Sequence, residues 1–419
     1  MKVEELALQR KRYAHLSDEE WRWLLQQVEG RERTREKLPT MAAIEDWWYP
    51  VRLSCEQCSS EPTARWKAER LSGDEAMRLS GDEAMRRSGD EAKGVLVDLT
   101  GGYGVDTYFM SEHFAQVHYV EQNEELCRIA THNFALTRPH IQVHNTHAEE
   151  FLRREAMRLS GDEAMRLSGD QAKGEKLEAK GEKWVIYIDP ARRDKHGGKV
   201  FRIEDCEPNV VELLPTLLRR AERIIIKLSP MLDITAALRS LQIPMDVDIV
   251  AVNNEVKEVL LWSKIDPTPC RIHAVNLGGK TTEWSFTQEE ERNAPCMLWD
   301  AHRGDQLTEG IYIYEPNAAI LKAGAYKLVG ARYGLQKWGQ NTHLYLSTHY
   351  VEDFPGRVWR MKEVVKKDTK DIRASVMTRN YPLTADQLRK KLKAKEGDTM
   401  TIIGARLGDK PIVVLAEKC

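Results

Sequence analysis

The sequence predicts an α/β protein: a doubly wound, mainly parallel sheet with a helical N-terminal region before it and a C-terminal α+β domain after it. Three observations carry this expectation. Between residues 94 and 265 short apolar runs alternate with amphipathic stretches, the pattern of strands whose faces are both covered by helices. The first apolar run leads directly into the glycine-rich segment "VLVDLTGGYGVDT", residues 95–107. Past residue 265 the chain turns strand-rich and mixed.

Each element has a local reason. Residues 1–69 read helical, and "LSDEEWRWLLQQV" starts on Ser17 as N-cap with Glu20 three residues on, a capping box ahead of apolar positions three and four apart. An octapeptide then repeats in tandem over residues 70–93 ("RLSGDEAM", "RLSGDEAM", "RRSGDEAK") and returns over 158–173. Eight residues are too few for a solenoid unit, and the repeats carry too little apolar surface to stack, so they read as solvated insertions in two surface loops. With the repeats set aside, "GVLVDLT", "QVHYVEQ", "IQVHN", "KWVIYIDP", "ERIIIKLS", "DVDIVAVNN" and "KEVLLWSK" are strands, and "GVDTYFMSEHF", "EELCRIATHNFAL", "PNVVELLPTLLRRA" and "LDITAALRSL" are helices. The last two strands, joined through "NNEV", are expected to form an antiparallel end to the sheet. Beyond them "CRIHAVNL", "TTEWSFT", "GIYIYEP" and "HLYLS" are strands, and the ending reads strand, helix, hairpin with "RLGDK" as the turn. The expected domains are 1–93, helical and ending in the first insertion; 94–265, the sheet, interrupted by the second insertion near 155–182; and 266–419.

Composition narrows the function classes. At 419 residues with 42% hydrophobic content the chain can bury a large core. It has no run of 18 apolar residues and no signal-peptide core in "MKVEELALQRKRY", which points to a soluble, cytoplasmic protein with no membrane partner. Seven cysteines at irregular spacing argue for reduced thiols. Cys55 and Cys58 form a CxxC, but no second CxxC or nearby HxxxH completes four ligands, so no metal is expected. The net charge of −2 hides an asymmetry: residues 357–419 carry +8 and the rest −10, a basic module on an acidic body.

The glycine turn points to a ligand. Asp98 closes the first strand, and Gly101, Gly102 and Gly104 allow a tight turn into a helix at which a ligand can meet main-chain N–H groups unhindered by a Cβ. Glu121 ends the second strand, where a carboxylate can accept both hydroxyls of a ribose. Together they describe a nucleoside-containing ligand at the carboxyl edge of the sheet.

"VDLTGGYG" resembles the first motif of class I S-adenosylmethionine-dependent methyltransferases, which have a Rossmann-like sheet. That resemblance implies S-adenosyl-L-methionine as cofactor and Asp98, Thr100, Gly101, Gly102, Gly104 and Glu121 as its binding residues. In the same family the third strand ends beside the adenine, here at His147 and Ala148 in "THAEEF", where an acid is usual. "YIDPARRD", residues 187–194, looks like motif IV of nucleic-acid methyltransferases, with Asp189 beside the transferred methyl, Pro190 fixing the loop and Arg192 in place of an aromatic. "DPAR" is close to the "DPPR" loops of certain RNA methyltransferases. Those acting on pyrimidine C5 need a cysteine at the end of the fifth strand, but this chain has "KLSP", Lys227 to Pro230, and Cys206 sits in an acidic neighbourhood that weakens it as a nucleophile. Transfer to nitrogen or oxygen is therefore expected, with Asp189 removing a proton. In "EQCSSEPTARWKAE" a functional reading places Gln57, Ser60 and Thr63 over the cofactor, and a structural one makes them polar helix caps.

The motifs and the ending "RNYPLTADQLRKKLKAKEG…IIGARLGDKPIVVLAEK" resemble bacterial class I methyltransferases with a C-terminal THUMP-like domain, which implies RNA as partner. Arg379, Arg389, Lys390, Lys391 and Lys393 cluster on or beside one predicted helix and can follow a phosphate backbone. Two alternatives compete with a methyltransferase acting on RNA. One is a non-catalytic protein that keeps the fold to bind RNA or ribosomes; the other is a nicotinamide oxidoreductase, disfavoured by the "DxTGGxG" pattern.

Overall fold

The computed structural model describes residues 2–78, 94–167, 184–191, 202–264, 267–299, 307–365, 372–408 and 410–419. The chain divides into two compact units, residues 1–246 with 257–267, and residues 247–256 with 268–419.

In the first unit the helix Asp18–Thr34 opens on the predicted capping box: Ser17 Oγ accepts the Glu20 N–H, and the Glu20 carboxylate accepts the Ser17 N–H at 2.8 Å. Trp21, Trp47 and Tyr49 are buried in this region. Gly30 admits Tyr49, because a Cβ there would lie 2.2 Å from the Tyr49 Cβ. The helix Glu61–Arg78 then packs along the helix Val105–Met110, which follows the glycine turn.

The strands are β1 Val95–Asp98, β2 Gln116–Glu121, β3 Ile141–Asn145, β4 Trp184–Ile188, β5 Ala221–Leu228, β6 Met245–Val252, β7 Glu255–Ser263, β8 Arg271–Leu277 and β9 Thr282–Thr287. In the first unit their order is β3-β2-β1-β4-β5-β7, with β1 to β5 parallel and β7 antiparallel to β5. The chain winds outward from β1 through β2 to β3, then restarts at β4 on the other side of β1. That reversal opens a crevice at the carboxyl ends of β1 and β4, the usual ligand position in doubly wound sheets. Val95, Leu96 and Val97 of β1 and Ile186, Tyr187 and Ile188 of β4 are all buried, as strands covered on both faces must be.

The doubly wound expectation holds, with one revision at its end. β6, next to β7 in the strand order, is not the edge: it also pairs in parallel with β8, and β8 pairs antiparallel with β9. The run "CRIHAVNL", assigned from sequence to the following domain, supplies that parallel neighbour.

The second unit also holds a seven-stranded sheet of β10 Tyr312–Pro316, β11 Gln336–Gly339, β12 Thr342–Ser347, β13 Gly356–Val364, β14 Ser375–Thr378, β15 Met400–Leu407 and β16 Lys410–Lys418. Its order is β11-β12-β10-β13-β16-β15-β14, antiparallel except for β14 with β15. Ile313, Trp338, Leu344, Trp359, Ile403 and Val414 form one core. Leu388, from the helix Ala385–Leu392, joins Ile402 and Ala374 in another. β11 and β13 were not read from the sequence; each mixes charged residues with one or two tryptophan or methionine anchors, a weak alternation.

The helix Glu61–Arg78 runs on into the first octapeptide copy, and the helix Ala148–Leu167 runs through the copy at 158–165. The other copies lie outside the described residues. Among the described residues no helix is long and apolar enough to cross a membrane, and no group of three or more His, Cys, Asp or Glu is placed to hold a metal ion.

Candidate functional site

The site grows from the link between β1 and β4. Asp98 and Tyr187 are paired in register, so the glycine turn leaving β1 and the "IDPA" loop leaving β4 emerge side by side. Thr100 joins them. Its N–H donates to Asp98 Oδ1 at 3.0 Å, and its hydroxyl accepts the Asp189 N–H at 2.6 Å.

Asp98 is buried and occupied within the protein, since its second oxygen accepts the Thr107 hydroxyl at 2.5 Å. Its task is to brace the turn from below. Burial pushes its carboxyl up to about 7, against the two hydrogen bonds and with the help of Asp106 and Asp189 nearby.

The three glycines have different reasons to be glycine. A Cβ on Gly101 would lie 2.2 Å from the Tyr119 ring, and one on Gly104 would lie 2.7 Å from the Phe134 ring, so those two are small because aromatic side chains fill the space. Only Gly102 fits the sequence expectation of an open main chain. It has φ +56° and no atom closer than 3.8 Å to a Cβ position. Its N–H donates to Glu121 Oε2 at 2.9 Å, while Oε1 of Glu121 accepts the Asn123 N–H at 2.8 Å. Glu121 therefore faces the turn, and each carboxylate oxygen keeps a lone pair for a ligand hydroxyl. At the end of β3 His147 is exposed, and Ala148 is buried at the start of the helix Ala148–Leu167.

Beneath the "IDPA" loop lies a buried polar network that the sequence did not disclose. Asp106 Oδ2 accepts the Ser59 hydroxyl at 2.7 Å and the Tyr187 hydroxyl at 2.6 Å, and Asp106 Oδ1 pairs with the Lys67 ammonium at 3.1 Å. Lys67 is fully buried and also pairs with Glu258 of β7 at 2.5 Å. Lys227 of β5 donates to Ser59 at 3.0 Å, approaches Asp106 at 3.5 Å and holds the Asp189 carboxylate at 2.5 Å. Asp189, at 38% side-chain exposure, is the most open member. Burial penalises the charge on Asp106, but Lys67 and Lys227 outweigh it and hold that carboxyl well below the usual range. Burial likewise opposes the Lys227 charge, yet Asp189, Asp106 and Glu258 keep the ammonium far above its ordinary value. Glu258 goes the other way, raised by burial more than Lys67 and Lys227 lower it. A charge inside an apolar strand was the available signal, in "RIIIKLSP" and "EVLLWS".

Other expected residues are placed differently. Pro190 is buried, and Ala191 exchanges both main-chain hydrogen bonds with Glu207, at 2.8 and 2.9 Å; Arg192 lies outside the described residues. Thr63 is buried with its hydroxyl turned to the Ser60 carbonyl at 3.0 Å, and Gln57 is exposed. The Thr63 hydroxyl is thus engaged at the start of its own helix, and Ser59 is the hydroxyl that enters the network. Cys206 is buried with its thiol toward the Arg202 carbonyl. Burial pushes the Cys55 thiol up to about 12.

In the second unit Arg379 is not a free cation. Its Nε donates to Glu315 at 2.6 Å, and the buried Glu315 also takes Arg357 at 2.9 Å. Arg389 pairs with Glu396 at 2.9 Å, while Lys390, Lys391 and Lys393, all exposed, lie on or just past the last turn of the helix Ala385–Leu392.

Two family models match the second unit, a ferredoxin-like domain over residues 312–355 and a THUMP domain-like region over residues 356–418. A crystal structure from Porphyromonas gingivalis W83, described as that of a candidate methyltransferase, is 30% identical to this chain, with TM-score 0.76 over 96% of this chain and 92% of that one. The chain belongs to that methyltransferase family, with its THUMP-like C-terminal domain. Two Mycobacterium tuberculosis proteins, both described as uncharacterised S-adenosylmethionine-dependent methyltransferases, are 24% identical to it over 242 residues, or 54% of this chain. The match spans 60% of the length of those curated relatives.

The glycine turn yields a paired prediction. Gly101→Ala must displace the Tyr119 ring and should lower unfolding free energy by about 2–3 kcal/mol, measured by urea denaturation. Gly102→Ala meets no neighbour, so it should cost only ~1 kcal/mol of left-handed strain and show its main effect in cofactor calorimetry. Asp98 yields a second. Its carboxyl titrates near 3.8 when unfolded and near 7 when folded, so the stability it adds over an asparagine is full below the lower value and is lost as pH rises through the higher one. The stability difference between wild type and Asp98→Asn should therefore shrink between those two pH values and stay level above them; a difference that grows with pH would refute the assignment.

Proposed function

We propose that the protein transfers a methyl group from S-adenosylmethionine to a nitrogen or oxygen of an RNA held by the C-terminal unit. The reading rests above all on one observation: the Thr100 hydroxyl accepts the Asp189 N–H at 2.6 Å, which sets the most open acid of the buried network beside the glycine turn.

The residues present fit the methyl donor. Gly102 leaves room for close approach to main chain, and Glu121 faces that space from β2 with lone pairs for the two ribose hydroxyls. When bound, the sulfonium supplies an electrophilic methyl. Asp189 would take the proton that an N–H or O–H acceptor sheds on receiving that methyl. Pro190 and the Ala191–Glu207 bridge hold the loop in register for that transfer. The cysteine needed for attack on pyrimidine C5 is missing from the end of β5, where Lys227 stands, and Cys206 is buried. The acceptor therefore carries an N–H or O–H.

For RNA the support is the THUMP-like region and the lysines 390, 391 and 393 at the end of its helix. Arg379 leaves the proposed contact set, because Glu315 already holds it. RNA is also the proposed partner under the competing reading, in which the fold binds without catalysis.

Two experiments test the reading. Calorimetry with S-adenosylmethionine, followed by transfer of labelled methyl to RNA from cells lacking the gene, should show binding and incorporation for wild type. For Asp189→Ala it should show binding within about threefold of wild type but transfer reduced by at least ~10²-fold. Absence of cofactor binding would favour the non-catalytic alternative. Replacing Lys390, Lys391 and Lys393 together by glutamate should weaken RNA binding and flatten its salt dependence by roughly 0.7 per lost contact to a single strand. Arg379→Met should instead lower stability and leave that slope unchanged.

A further inference from the structure

Lys227 makes no contact that a substrate would need, yet it sits between the buried Asp106 and Asp189, the most open acid of the network. Its ammonium has three hydrogens and three partners. Ser59 lies at 3.0 Å, Asp106 at 3.5 Å and Asp189 at 2.5 Å. An ammonium with all its donors engaged is a fixed cation with no lone pair to offer as a base. We propose that Lys227 is a positioning residue, anchored from below by Asp106 and Ser59, which pairs its charge with the Asp189 carboxylate and aims it at the acceptor without touching that acceptor. The inference rests on the proton-accepting role assigned to Asp189.

The surroundings make this task hard to move elsewhere. Around the pair stand Asp106 on the helix Val105–Met110, Lys67 on the helix Glu61–Arg78, Glu258 on β7, Tyr187 on β4, Asp98 on β1 and the Cys58 thiol. Of these only Lys67 is cationic, and it is fully buried between Asp106 and Glu258. Among these groups Lys227 is therefore the cation that reaches Asp189, and every acid in the cluster opposes a second negative charge there. Without it the carboxyl next to the methyl acceptor would sit among acids with none of these cations in contact.

The cation also bears on which acceptors suit the site. Lys227 engages Asp189 through Oδ2, which leaves Oδ1 to receive a proton. A carboxylate committed in this way can accept one hydrogen bond from a neutral hydroxyl or amine.

The test reads the carboxyl directly. Protein with carbon-13 at its aspartate carboxyls is titrated by NMR, and the Asp189 signal is assigned by its loss in Asp189→Asn. Lys227→Met and Lys227→Gln should raise the Asp189 midpoint by ~1 pH unit or more, whereas Lys227→Arg, which keeps the charge, should leave it near the wild-type value. Gln retains hydrogen bonding to Asp106 and Ser59, so it reports the effect of the charge even if the Met variant fails to fold. An unmoved midpoint in Lys227→Gln overturns the proposal. This titration needs no cofactor and no acceptor, so its result stands whether or not methyl transfer is observed. Where transfer is measurable, Lys227→Gln should lower kcat by roughly 10- to 100-fold with KM little changed and move the acid limb of the rate profile to higher pH; wild-type kcat in that variant would equally overturn the proposal.

Discussion

Asp106 is the constraint around which the first unit is arranged. A buried carboxylate is tolerable only if its charge is matched, and Asp106 meets that condition by drawing in four separate parts of the chain. Lys67 comes from the helix before the sheet, Ser59 from the segment ahead of that helix, Tyr187 from β4 and Lys227 from β5. The N-terminal helical region is thereby tied into the sheet through charge as well as apolar packing. The same obligation fixes where Asp189 can lie, because Lys227 has one remaining donor and the loop after β4 passes directly above it. A buried polar network whose members share partners in this way is worth more intact than in pieces.

Most of the architecture was legible in the sequence because it follows from periodicity. Apolar runs of four to eight residues alternating with amphipathic helices leave few alternatives to a doubly wound sheet, and Ser17 with Glu20 marked a helix start that the structure reproduces. The glycine turn was also legible, though for partly different reasons than expected: the ring contacts of Gly101 and Gly104 come from Tyr119 and Phe134, which lie far along the chain. The polar network was not legible, since pairing between Lys67 and Glu258 spans 191 positions and no local pattern encodes it. Arg379 taught the same lesson in reverse. It was grouped with the lysines of the following helix, but its partner Glu315 approaches from β10, a distant strand.

In the second unit the regions matching a ferredoxin-like domain and a THUMP-like domain meet inside one sheet. β10 of the former pairs with β13 of the latter over residues 312–316 and 356–360, and the Glu315 carboxylate on β10 holds Arg357 of β13 and Arg379 beyond β14. Two segments that share a ladder and an ion triad around a buried carboxylate have no seam along which either could be removed. The helix proposed to contact RNA is mounted on such a sheet and so has a rigid support.

Leu71, the second residue of the first octapeptide copy, is buried, whereas Met157, just ahead of the copy at 158–165, is 58% exposed. At about 100° per residue, eight residues turn a helix through two full turns and roughly 80° more. A helical octapeptide repeat therefore turns corresponding side chains by that angle from one copy to the next, so the burial of Leu71 in the first copy is not a position that a further copy of the same eight residues inherits.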